Sequence, residues 1–170
     1  LLRPLRESPC ARRRLAPLRR FRGAALPGHS LVVFEPDAGV VIDLVPCEDG
    51  HASERGLLAP LLAASQPKEL WIGDRLFCTR AAILSAHTRR AAVLFRETKV
   101  NPNPTPVGRR RRIGRIETGV VYEQRVTIPI EKDSAEVLEL RRIEVVLDTP
   151  TTDGETVIRL LTTLPATVKA

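Results

Sequence analysis

Leu70-Trp71-Ile72-Gly73-Asp74-Arg75-Leu76-Phe77-Cys78 is a short apolar run that stops abruptly on an acid and a base. A run of this kind reads as an apolar strand, and the helical pattern that follows predicts a strand-to-helix unit. An acid delivered to the C-terminal end of such a strand stands where α/β sheets build their sites. Asp74 therefore has two readings. It is a ligand for a hard cation such as Mg²⁺, which takes oxygen donors and keeps several waters. Alternatively it is a residue that turns the chain or caps the helix after it.

The stretches around this unit give the rest of the order. Upstream, Leu31 to Phe34 and Val40 to Val45 are β-rich runs joined by Pro36-Asp37-Ala38-Gly39, which predicts an antiparallel hairpin closed by Pro46. A helix is expected from about His51 to Ala64, with Asp49 or Ser53 as its cap and Leu57, Leu58, Leu61 and Leu62 on one face. After the Asp74 unit, a helix over Thr79 to Arg89 turns Ala82, Ile83 and Ala86 inward, and Ala91 to Phe95 forms a buried strand. Helices between strands favour a parallel pairing. Asn101-Pro102-Asn103-Pro104-Thr105-Pro106 then breaks the pattern, and the run Gly108 to Arg112 reads as its continuation. Beyond it the pattern is strands alone: Val120 to Ile128, Leu138 to Leu147 and Thr156 to Thr163, the last two joined by a turn-rich hairpin loop. The expected layout is a basic arm (1–25), an α/β core (26–100), a Pro/Arg-rich loop (101–112) and a β-rich extension (113–170).

Charge narrows the function classes. Lys and Arg exceed Asp and Glu by 27 to 20, giving a net charge of +7, and arginine dominates the excess. The guanidinium fork matches phosphate oxygens, so an Arg-rich surface suits nucleic acid. Arg109 to Arg112 could follow a DNA backbone, or could simply be a solvated basic loop. No aromatic residue interleaves with them, so base stacking is not expected there. Cys10, Cys47 and Cys78 are scattered in no zinc-binding or disulfide spacing, which fits a reducing cytosol. No apolar run approaches the roughly 20 residues that a membrane helix needs. Pro4, Pro9 and Pro17 argue against a transit helix in the Arg-rich start. His51 and Glu54, an i, i+3 pair, read as helix-surface residues rather than a metal site; His29 and His87 stand alone. The chain holds no methionine and reads as an internal piece of a longer protein.

In order and spacing, the phrases Leu26-Pro27-Gly28, Glu48-Asp49-Gly50-His51-Ala52-Ser53-Glu54-Arg55, Leu70 to Cys78, Phe95-Arg96-Glu97, Thr152-Asp153-Gly154-Glu155 and Leu160 to Pro165 resemble the catalytic core of bacterial insertion-sequence DDE transposases. The resemblance covers most of the chain. It implies a ribonuclease H-like mixed sheet, here lacking its first strand, with a β-rich insertion after the last core strand. It implies a dimeric parent enzyme, bacterial and nucleoid-associated, that uses Mg²⁺ to cut and join transposon-end DNA. Asp74 falls at the family's second Asp, and Arg75 at the Arg that follows it, a phosphate or supporting contact. The family's first Asp belongs to a strand expected upstream of Leu1, which Asp37 and Asp43 replace poorly. Its Glu belongs to a helix expected after Pro165. With one carboxylate of three, the chain is expected to be inactive alone. The other readings are a non-catalytic nucleic-acid-binding or regulatory module that reuses the fold, and an α/β domain unrelated to DNA.

Overall fold

The computed structural model describes residues 29–47, 53–98, 100–131 and 135–167. The proposed basic arm (1–25), Asp49 and His51 lie outside them. The chain is mixed α/β and rich in strands, and it divides into two compact units, 1–58 and 59–170.

In the first unit, β1 (His29–Glu35) and β2 (Val40–Cys47) pair antiparallel as a sheet of two strands. Their turn is the one predicted: Gly39 donates to the Glu35 carbonyl at 2.9 Å and holds φ at +67°, a conformation glycine adopts without strain. Pro46 does not end β2, which continues to Cys47. Among the described residues β2 pairs with β1 alone, and an edge strand tolerates the missing N–H of proline. Helix α1 (Glu54–Ala64) crosses the boundary between the units. Ser53 caps it, its hydroxyl accepting the Arg55 N–H at 3.3 Å, and Leu58, Leu61 and Leu62 are buried.

The second unit holds a sheet of six strands in the order β3-β4-β8-β7-β6-β5. β3 (Leu70–Gly73) and β4 (Ala92–Arg96) are its parallel pair, joined through helix α2 (Arg80–Thr88). Thr79 caps α2 by accepting the Ala82 N–H at 3.2 Å, and Ala82, Ile83 and Ala86 are buried as expected. β5 (Thr105–Ile116), β6 (Gly119–Pro129), β7 (Val137–Leu147) and β8 (Val157–Thr162) are antiparallel to their neighbours. β8 lies between β4 and β7, so the strand-rich part extends the parallel pair instead of forming a second sheet.

Arg109 to Arg112 are not in a loop. They lie within β5, the edge strand of the sheet. Arginine has little strand preference of its own, but β6 and β7 place Glu123 and Glu144 within reach of this edge, and cross-strand pairs of opposite charge stabilise the pairing. A charged edge also resists pairing with other chains.

Buried Val93, Phe95, Val126, Ile128, Leu140 and Leu161 form the core of this sheet. Two glycines are closely approached by neighbouring atoms. A Cβ on Gly73 would sit 3.0 Å from the Phe95 ring. One on Gly119 would meet the Val146 carbonyl oxygen at 2.1 Å and its carbon at 2.8 Å, backbone atoms that cannot rotate away. Gly119→Ala is expected to push β6 off β7 and cost about 3 kcal/mol, read as a lower urea midpoint at unchanged slope.

Candidate functional site

Two regions of the six-stranded sheet gather charged side chains. The first is its edge at the carboxyl ends of β3 and β4. Where β3 stops, the Asp74 carbonyl accepts the Phe77 N–H at 3.0 Å and the Arg75 carbonyl accepts that of Cys78 at 3.3 Å. This turn leads the chain into α2. Asp74 is thus a turn residue through its backbone, whereas the cap of the helix is Thr79. Its carboxylate remains 62% exposed and lies 3.9 Å from Arg75 Nε.

The neighbouring acids are engaged by arginine. Glu155, just before β8, accepts from Arg75 Nη1 at 3.1 Å with one oxygen and from Arg96 Nη2 with the other. Glu97, just after β4, takes two hydrogen bonds from Arg142, at 2.7 Å from Nε and 2.6 Å from Nη2. The Glu97 side chain is only 5% exposed, and Arg142 is 13% exposed. Beside it Cys78 is buried. Burial pushes its thiol from 9.0 up to about 12, with the charge of Glu97 adding to the effect and a backbone hydrogen bond at Thr98 opposing it.

Cys78 is therefore a packed thiol, not a nucleophile. It is expected to escape iodoacetamide at pH 8 in the folded chain and to react once urea unfolds it, as read by mass spectrometry. In the unfolded chain the thiol loses its proton first, so its contribution to stability is complete below pH 9 and disappears as pH rises toward about 12.

Among the described residues no group of three or more His, Cys, Asp or Glu side chains could hold a metal ion. At this edge Asp74 keeps an open carboxylate, whereas Glu97 and Glu155 are held by guanidinium groups. Asp37 lies in the hairpin turn, and Asp43 lies within β2, exposed and accepting the Leu44 N–H at 2.7 Å.

The second region is built by β5. Between the pairs Val107–Arg125 and Arg111–Glu123, β5 advances four residues against two on β6, a pronounced bulge. It opens at Gly108, whose φ of +77° is left-handed and whose carbonyl accepts from the Gln124 amide at 2.9 Å. The bulge separates the consecutive arginines. Arg110 lies over the Tyr122 ring, 3.7 Å from its centroid, and its Nε reaches Glu144 at 2.5 Å. Glu144 also takes Arg159 at 2.7 Å.

Arg109 and Arg111 instead line a groove of about 700 Å³ together with Arg125, Arg141, Glu123 and Glu139. Arg141 and Glu123 bind each other deep in it, and Arg141 also donates to the carbonyls of Leu164 and Pro165, at 3.2 and 2.9 Å. The other cations are loosely held: Arg111 is 76% exposed and 4.0 Å from Glu123, and Arg125 is 3.8 Å from Glu139. Arg109 and Arg112 have no carboxylate partner among the described residues. With four arginines against two glutamates, the groove is electropositive.

Of the residues singled out from the sequence, Asp74 and Arg75 lie at the sheet edge and Arg109 to Arg112 on β5. Arg96, Glu97, Arg142 and Glu155 escaped that reading as charged participants. Phe95-Arg96-Glu97 and Thr152-Asp153-Gly154-Glu155 stood out only as phrases, with no sign that arginines hold their acids. Among the described residues, no helix is long and apolar enough to cross a membrane. Compared with known proteins, the chain matches no family model and no curated sequence.

Proposed function

We propose that this chain is a DNA-handling part of an insertion-sequence DDE transposase, and that its described residues hold DNA rather than cut it. The observation that carries the reading is the β5 edge, where Arg109 and Arg111 line an electropositive groove and Arg112, outside its lining, has no carboxylate partner among the described residues. A guanidinium group at such an edge makes bidentate bonds to phosphate oxygens and displaces condensed counterions, which gives affinity without reading sequence. The parallel β3–β4 pair, with Asp74 just past the end of β3 and a strand-rich extension continuing the sheet, supports a ribonuclease H-like core. On this reading the parent is a bacterial, nucleoid-associated dimer acting on transposon ends with Mg²⁺. Among the described residues Asp74 has no second metal-ligating acid gathered beside it, which a two-metal cleavage site requires.

The second reading, a non-catalytic nucleic-acid-binding module that reuses the fold, is favoured by the arginines on Glu97 and Glu155. Both readings require DNA binding that weakens steeply with salt. In fluorescence anisotropy with a labelled duplex, log K is expected to fall against log salt with a slope of about −2 to −3, one phosphate for each free arginine. Salt-independent binding, or none, would leave an α/β domain unrelated to DNA. Mg²⁺-dependent nicking of end DNA by the parent protein separates the transposase from the module.

A further inference from the structure

Arg75, two residues past the end of β3, and Arg96, the last residue of the adjacent parallel strand β4, converge on one carboxylate, that of Glu155. The geometry points to a second oxyanion site here, separate from β5: a two-arginine fork for a phosphate group, occupied in the free chain by Glu155 as an exchangeable internal ligand.

The contrast with Glu97–Arg142 carries the argument. Both are arginine–carboxylate contacts of the same sheet, yet Glu97–Arg142 is nearly sealed from solvent. The Arg75–Glu155–Arg96 cluster is open, its side chains 44%, 33% and 30% exposed. A sealed pair is permanent, since parting it would strand a charge. An exposed one gains little from its Coulomb attraction and can be exchanged for another anion at small cost.

The geometry of the fork also suits phosphate. Two guanidinium groups each hold a different oxygen of one anion, the arrangement that recognises carboxylate and phosphate alike. Asp74 engages a different nitrogen of Arg75, Nε, and leaves Nη1 to the fork. Glu155 stands in a short turn held by Thr151, whose hydroxyl accepts the Glu155 N–H at 3.0 Å, next to Gly154 at φ +78°. Its side chain makes no contact beyond the two arginines among the interactions of the described residues.

The site is tested by following the Arg75 and Arg96 side-chain Nε–H resonances of the full chain and of Glu155→Gln. Each is titrated with inorganic phosphate, with a short single-stranded oligonucleotide carrying a terminal phosphate, and with the same oligonucleotide lacking it. Removing the internal anion is expected to let inorganic phosphate shift both resonances at concentrations at least about fivefold lower than in the parent chain. A response to both oligonucleotides assigns the fork to backbone phosphodiesters. A response only to the phosphorylated one assigns it to a strand terminus, and a response to inorganic phosphate alone to free oxyanion. A folded Glu155→Gln that binds phosphate no more tightly overturns the proposal. Should Glu155→Gln fail to fold, Arg96→Gln replaces it: the phosphate response at Arg75 must weaken at least about fivefold, and an unchanged response overturns the site. Arg109→Gln/Arg112→Gln leaves these shifts in place, so a failure of DNA binding at β5 is distinguishable from a failure here.

Discussion

Arg142→Ala is expected to be the most damaging single substitution in the six-stranded sheet, lowering stability by about 3–5 kcal/mol. The reason is not the loss of a favourable pair but the charge left behind. Glu97, just after β4, is almost fully buried, and Arg142 makes two hydrogen bonds to its carboxylate. Without the guanidinium, the carboxylate is left buried and unpaired. Replacing both partners with apolar residues removes that penalty. Glu97→Leu/Arg142→Leu is therefore expected to lie within about 1–2 kcal/mol of the parent chain. Urea unfolding of the two variants side by side checks the account. Equal losses for the single and the double variant would show that the pair acts through packing alone.

The second large effect concerns DNA, and it divides four adjacent residues. Arg109→Gln/Arg111→Gln/Arg112→Gln is expected to weaken duplex binding about 10²-fold at moderate salt, because each lost phosphate contact removes its counterion release. Arg110→Gln behaves differently. Its side chain is committed to Tyr122 and Glu144, so the variant loses stability, by about 1 kcal/mol for the stacking and the half-exposed ion pair, and changes DNA affinity little. Four arginines that look equivalent in the sequence are thus assigned two jobs by one bulge. Anisotropy and urea unfolding on the two variants separate them.

That division explains how far the sequence could be read. The hairpin of β1 and β2, helices α1 and α2, and the β7–β8 hairpin are written in local patterns: a Pro/Asp/Gly turn, a Ser or Thr cap, apolar residues at helical spacing. β5 is not. Its arginines, prolines and glycines carry no alternation, and the strand exists because β6 and the acids of β6 and β7 lie beside it. The charged cluster at the sheet edge is hidden for the same reason. Arg75 and Arg96 meet Glu155 across 80 and 59 residues, and Glu97 meets Arg142 across 45. Only the order of strands brings them together. Asp74, the acid that marked the end of β3, stands just past that strand as the sequence suggests, while Glu97 and Glu155 are held by arginine.

The central claim is that the β5 edge holds nucleic-acid phosphate. Its most direct test is the salt slope of duplex binding, compared between the parent chain and Arg109→Gln/Arg111→Gln/Arg112→Gln at equal folded fraction. The account predicts that the slope becomes shallower by about 2–3, close to one phosphate for each arginine removed. An unchanged slope, with the variant folded, would place DNA binding elsewhere on the chain and contradict the claim.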